Sequence, residues 1–233
     1  MPVFNGKESV ESSVLSVVSQ NCDNFEYIIV DGVSTDGTLE ILRKHESSID
    51  YWISEPDRGI YDAMNKGVQL AKGRWLCFLG SDDTLCDSLQ AVAQFLCDEQ
   101  TVYYGNVFMT GSKRVYDGAF GPWKLSRRNI CQQAIFYPRS LFEVRQFDLR
   151  YKLFADWEFN MRMYSDSRFR FQFIPVTIAN YNDVSGKSSV GFDAQFWMDY
   201  GRILRECMPP ACYAWYQFKT IVRPWSIPGR NGR

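Results

Sequence analysis

The sequence predicts an α/β protein built on a mostly parallel sheet with helices on both faces. Three observations predict it. Helix-like and strand-like apolar patterns alternate through the first hundred residues, as βα units do. Two strand-like runs end directly in acidic residues, at Asp31 and at Ser81-Asp82-Asp83, and open α/β sheets bind their ligands at the carboxyl ends of strands. A chain of 233 residues with 45% hydrophobic content can bury a full core in one domain.

The elements follow in order. Val10, Val14, Val17 and Val18 form a helical stripe within Ser9 to Ser19. Tyr27-Ile28-Ile29-Val30 is a buried strand that runs into Asp31. A helix through Leu39, Ile41 and Leu42 starts after Ser34-Thr35-Asp36-Gly37-Thr38, with Ser34 or Asp36 as its N-cap. Tyr51-Trp52-Ile53 is a short strand. The loop Ser54 to Gly59 leads to a helix from about Tyr61 to Lys72, closed by Gly73 as its C′ residue. Trp75 to Leu79 is the next strand, and Ser88 to Cys97 the next helix.

The second half changes character. Thr101 to Gly105 reads as a strand, and Arg168 to Phe173 alternates as a strand with one wet face. Between them, Phe154, Trp157, Met161 and Tyr164 have helical spacing. Helices at Phe192 to Cys207 and Ala211 to Val222 flank a break at Pro209-Pro210. No repeat or low-complexity linker divides the chain. The expected organisation is a single domain, with residues 1–100 as a nucleotide half, 101–190 as an acceptor half and 191–233 as a helical tail.

Composition excludes some functions. A net charge of −1 gives no electrostatic footprint for nucleic acid. The seven cysteines are scattered and the single histidine is His45, so no zinc-ligand spacing occurs. A thiol inside a core strand, Cys77, suits a reducing, cytosolic setting. No signal peptide opens the chain, and no apolar run is long enough to span a bilayer. Aromatic residues make up 16% of the chain and crowd its second half, which fits either sugar stacking, a membrane interface or an aromatic core.

Several side chains admit both a chemical and a structural reading. Asp82 and Asp83 can hold Mn²⁺ or Mg²⁺, hard cations that prefer oxygen ligands, or can cap the next helix. Asp31 can accept a hydrogen bond from a base ring or serve the Asp31-Gly32 turn. Asp156 can act as a general base or as the N-cap of a helix beginning at Trp157. Arg58 can meet a phosphate or base, or stay solvated, and Asp62 and Asn65 share one helix face.

Together these motifs resemble inverting family-2 glycosyltransferases of the GT-A fold, in particular bacterial exopolysaccharide and O-antigen transferases of the colanic-acid type. The residues that carry the resemblance are Pro2-Val3-Phe4-Asn5-Gly6, Val30 to Thr38, Ser54 to Gly67, Phe78 to Asp83, Gln132 to Tyr137 and Phe147 to Trp157. The resemblance implies a nucleotide-diphosphate sugar donor, UDP-linked, and a glycan or polyprenyl-linked acceptor. Pro2 and Phe4 would line the base, and Asp31 would bind uracil. Arg58, Asp62, Asn65 and Ser81 would line the nucleotide pocket, Asp82 and Asp83 would bind metal, and Asp156 would be the base. The sequence departs from the pattern at Gly80, Asn106, Gln132 and Ala155, and a full first strand is expected ahead of Pro2. A non-catalytic sugar-nucleotide binding relative is the first alternative. A nucleotidyltransferase is the second, disfavoured because no glycine-rich, lysine-bearing loop lies near the start.

The tail carries Tyr213, Trp215, Tyr216, Phe218, Ile221, Val222 and Trp225 with Lys219, Arg223 and Arg230. That mixture suits a helix lying in a membrane interface, here the inner face of the cytoplasmic membrane, or one packed on the domain.

Overall fold

The computed structural model describes residues 1–184 and 191–222. It opens with β1 (Pro2–Val3), a strand the sequence patterns did not mark, and then follows the predicted alternation: α1 (Val10–Val18), β2 (Ile28–Asp31), α2 (Thr38–Lys44), β3 (Tyr51–Ser54) and α3 (Ile60–Leu70). The strands β1, β2 and β3 lie side by side in that order and pair in parallel. In α1, Val10, Val14 and Val17 are buried, the one-sided stripe that a 3.6-residue period requires. The N-cap of α2 is Gly37, and Asp36 serves it from one place earlier, where Oδ1 accepts from Thr38 N.

The chain continues through β4 (Trp75–Leu76), β5 (Thr84–Leu85), α4 (Leu89–Ala93), β6 (Thr101–Met109), β7 (Arg114–Tyr116), α5 (Pro122–Leu125), β8 (Ile135–Pro138), α6 (Arg139–Val144), α7 (Ala155–Ser165), β9 (Arg170–Tyr181), α8 (Ala194–Cys207) and α9 (Pro210–Val222). A second sheet runs β4-β8-β6-β9-β5, with β7 on β6. Here the expected parallel pairing gives way. Among the described residues only β6 and β9 pair in parallel in this sheet, and its other pairs are antiparallel. Connection length is the reason at β6–β7, because a short turn can join only antiparallel neighbours.

Strand β9 is twice the predicted length and carries on through Pro175. Its register against β6 shifts beside Gly105, so the proline falls where no regular ladder bond is required. A Cβ on Gly105 would stand 2.4 Å from the Val176 carbonyl, so glycine is what lets the two backbones close at this irregularity.

Other boundaries move as well, and the helix expected over Ser88 to Cys97 is only Leu89–Ala93. Helix α3 ends at Leu70 with Ala71 extended, so Gly73 is not its C′ residue; instead Glu26 Oε1 accepts from the Lys72 and Gly73 amides. Strand β4 stops at Leu76, and Cys77, Phe78 and Leu79 line an apolar cavity of about 420 Å³ together with Ile28, Val30 and Met64. A strand exists only where a neighbour takes its backbone groups, and among the described residues none does so there. The Met1 ammonium lies beside this cavity, donates to the Ile28 carbonyl at 2.6 Å, and is pulled down to about 5 by burial. Asp82, Asp83 and Asp156 do not line the cavity.

Most second-half aromatics are core. Phe142 stacks on Phe159 with ring centres 5.1 Å apart, and Trp157 on Phe196 at 5.2 Å. This packing fastens α6, α7 and α8 together and fixes the start of α7, where Asp156 lies. All seven cysteines are free. Among the described residues no helix is long and apolar enough to cross a membrane.

Candidate active site

Asp31 ends β2 fully buried. Its carboxylate accepts from the Ser34 amide at 2.9 Å, the Ser34 hydroxyl, and the Ser54 hydroxyl at 2.6 Å. Three of about four acceptor positions are thus used within the protein. The same loop holds the segment after β1: Ser34 Oγ accepts from Asn5 N, Thr38 Oγ1 from Gly6 N, and Asp36 Oδ2 from Lys7 N. Pro2 is buried in the sheet, whereas Phe4 is half exposed and packs near Gly32. The structure therefore brings Phe4 to the surface of this edge and keeps the Asp31 carboxylate beneath it.

On α3, Asp62 reaches back to the Arg58 amide at 3.0 Å and pairs with its guanidinium at 3.2 Å. The Arg58 hydrogen bond holds the Asp62 carboxyl below its usual range. The arginine itself projects into solvent. Asn65 is buried and exchanges two hydrogen bonds with the backbone of Phe147, 3.0 and 3.1 Å long. It fastens α3 to the segment before α7 and does not share an open wall with Arg58.

Ser81, Asp82 and Asp83 follow the end of the β4 segment. Ser81 is half-buried against Gly6, which joins this turn to the loop after β1. Asp83 is buried, accepting from Gln133 Nε2 at 2.5 Å and Asn182 N at 2.8 Å; burial pushes its carboxyl up to about 6. Asp82 is exposed. A Cβ on Gly80 would lie 2.8 Å from Asp83 Oδ2 and 3.0 Å from Asp82 Oδ1, so both carboxylates lean over the space a side chain would fill. Among the described residues no group of three or more His, Cys, Asp or Glu side chains is placed to hold a metal. One or two carboxylates suffice for Mg²⁺ when substrate phosphates complete its shell, and that is the donor set present.

Asp156 is the second residue of α7, with Phe154 as the N-cap, so it is not itself the cap. Its Oδ1 accepts from the Trp157 amide at 2.9 Å and competes with the Leu153 carbonyl for the single Tyr61 hydroxyl proton, at 2.7 and 2.8 Å, and its Oδ2 accepts from Asn129 Nδ2 at 2.7 Å. Burial pushes its carboxyl up to about 6, and the hydrogen-bond donors around it together with the helix N-terminus oppose that push. A half-buried carboxyl poised near neutrality can take a proton from a hydroxyl and release it again. The segment ahead of it is pinned by Asp193, the N-cap of α8, whose Oδ2 accepts from Leu153 N at 2.8 Å.

One short stretch joins the two acidic centres. Asn129 holds Asp156 and Gln133 holds Asp83, and the half-buried Cys131 between them has its thiol pushed up, first by burial and then by both charges. Sequence reasoning assigned no role to Tyr61, Asn129 or Asn160. Gln133 stood inside a quoted motif, the one signal that could have marked this stretch.

The chain matches the family model described as glycosyl transferase family 2 over residues 1–167. It is 38% identical over 205 residues to the "PGL/p-HBAD biosynthesis glycosyltransferase" of Mycobacterium bovis BCG, covering 84% of this chain and 80% of that protein. Its fold is similar to that of S. aureus TarS 1-349 in complex with UDP-GlcNAc, with a TM-score of 0.70 at 19% identity. That match covers 88% of this chain, which spans 63% of the TarS fragment. The mannosyltransferase PcManGT from Pyrobaculum calidifontis, in complex with GDP-Man and Mn²⁺, matches 98% of this chain and 70% of its own, with a TM-score of 0.70 at 15% identity.

Proposed function

The chain belongs to glycosyl transferase family 2 and has the GT-A fold, and on that premise we propose that it is an inverting transferase using a UDP-sugar donor. The acceptor is a hydroxyl of a glycan or lipid-linked saccharide in cell-surface polysaccharide assembly. One observation carries the reading: residues 129 to 133 tie the acidic turn just before β5 to a carboxyl poised for proton transfer. Inverting transfer by single displacement needs these two functions, leaving-group stabilisation and a base on the opposite face of the sugar.

Asp156 takes the proton of the acceptor hydroxyl. Phe4 flanks the base of the nucleotide, with Pro2 fixing its approach from β1. Asp31 acts on the base through the Ser34 and Ser54 loops that it holds in place. Arg58 meets the phosphates, Asp62 and Asn65 set the helix that carries the pocket wall, and Ser81 lies against the phosphate side. Asp82 and Asp83 would hold Mn²⁺ or Mg²⁺, which supplies charge neutralisation as nucleoside diphosphate leaves. On α9, Phe218 is 56% and Ile221 80% exposed, and Trp215 lies against Trp123 at 5.9 Å. That apolar face supports contact with the membrane that carries a lipid-linked acceptor. Trp225, Arg223 and Arg230 lie outside the described residues.

The test is thermal melting with UDP. At about a hundred times its dissociation constant, UDP adds roughly 2.7 kcal/mol in the presence of Mn²⁺. The increment falls with EDTA and in Asp82→Ala. Equal melting temperatures with no ligand, with UDP and EDTA, and with UDP and Mn²⁺ would remove the metal-assisted nucleotide site.

A further inference from the structure

The hydrogen bonds behind Asp156 impose a direction on one another. Asp156 Oδ2 accepts from the Asn129 amide group at 2.7 Å, which leaves Asn129 Oδ1 as an acceptor. Asn160 Nδ2 donates to that oxygen at 2.9 Å, so Asn160 Oδ1 is an acceptor too. It faces the Tyr137 hydroxyl at 2.8 Å. The same hydroxyl stands 3.0 Å from Gln132 Oε1. A phenol carries one proton and cannot donate to both amide oxygens. Meanwhile Gln132 Nε2 is buried without a partner.

A single half-turn of the Gln132 amide resolves the conflict at Tyr137. The amide nitrogen and oxygen have nearly the same shape, and their assignment follows from the network around them. With the amide turned, Nε2 donates to the tyrosine oxygen, and the atom left without a partner is an acceptor, which buried sites tolerate better than a lone donor.

We propose that Gln132, Tyr137, Asn160 and Asn129 form a one-way chain of donors ending on Asp156, and that these four are positioning residues that keep its carboxylate charged and aimed. The inference rests on the reading of Asp156 as the base. Each link polarises the next in the same sense. Turning Asn129 would set its oxygen against the carboxylate, and turning Asn160 would oppose two oxygens or two N–H groups. The charge on Asp156 thereby fixes the order of the whole chain out to Gln132.

Chemistry gives the chain a purpose. Burial favours the neutral carboxyl, and hydrogen bonds donated to the charged form favour the carboxylate. Among the described residues the titratable groups facing Asp156 are Tyr61 from α3, Tyr137 from β8 and the Cys131 thiol from the intervening stretch. All three are pushed upward, first by burial, so they stay neutral while Asp156 titrates. The donors are then what counters burial and sets where the base changes state.

Tyr137→Phe is the diagnostic variant. It keeps the ring that packs between Phe78 and Phe159, and it reaches Asp156 only through two amides. Asn129→Ala removes the direct donor. The Asp156 carboxyl is followed by ¹³C NMR against pH, its signal identified by its loss in Asp156→Asn. The expected result is a pKa raised by about one unit in Asn129→Ala and by a smaller step in Tyr137→Phe. The acidic limb of kcat against pH moves by the same amounts. An Asp156 titration in Tyr137→Phe that superimposes on the wild type overturns the chain, whatever the activity. A carboxyl pKa that moves while the kcat limb stays still supports the chain and rejects Asp156 as base. Should Tyr137→Phe not fold, Gln132→Leu breaks the far link at a half-buried position, with the same expected and contrary results.

Discussion

Asp31 at the end of β2 and Asp156 at the start of α7 each have three donor groups within hydrogen-bond reach, and they differ in where the donors come from. At Asp31 two donors belong to Ser34, three residues on, and the third to the neighbouring strand end at Ser54. The carboxylate is sealed from solvent. At Asp156 one donor is the helix's own Trp157 amide, and the others lie 95 and 27 residues away at Tyr61 and Asn129. This carboxyl stays half-buried, with burial pushing it toward neutrality. A carboxylate saturated by adjacent donors and sealed from solvent is placed to hold its loops together. One assembled from distant segments, left reachable and poised near neutral pH, has the properties of a base.

The largest expected effect lies on the scaffold side. Asp31→Ala leaves two hydroxyls and one backbone amide without their acceptor and frees the loop that holds residues 5 to 7. It should cost on the order of 4 kcal/mol, read as a lower urea midpoint. A near-wild-type midpoint with UDP affinity lost would reverse the contrast and make Asp31 a direct reader of the base.

A smaller effect concerns pH. The folded state raises the Asp156 pKa to about 6, above the ordinary aspartate value, so folded protein binds this proton more tightly than unfolded chain does. Ionised Asp156 therefore weakens the fold above about pH 6. The penalty is relieved as pH falls from there toward the unfolded value, and its full size is on the order of 3 kcal/mol. Comparing wild type with Asp156→Asn isolates it: the stability difference should change between pH 7.5 and pH 5, and parallel curves would show that burial does not load this carboxyl.

The comparison also explains what was legible in the sequence. The valine stripe of α1, the runs of β2 and β3 and the strand-end Asp31 are local patterns, and each element lies close to where its pattern puts it. Asp156 was legible as a candidate because its motif is local as well. Its partners were not: Tyr61 lies inside the recognised Ser54 to Gly67 segment without a role of its own there, and Asn129 precedes the recognised Gln132-Gln133 segment. Strand β4 fell short because Cys77 to Leu79 need a neighbour that no local pattern specifies. The antiparallel second sheet was hidden for the same reason, and the length of β9 because Pro175 argues against a strand until Gly105 is seen opposite the irregularity.

The most direct test of the account is Asp156→Asn, assayed for acceptor-dependent transfer and for UDP affinity by calorimetry. Asparagine keeps the size and most of the hydrogen bonding of the side chain but cannot take a proton at neutral pH. The account predicts transfer reduced by about 10²–10⁴-fold with UDP affinity unchanged, because the base faces the acceptor. Wild-type transfer by the folded Asn variant would contradict it and leave Asp156 as no more than an acceptor for the first turn of α7.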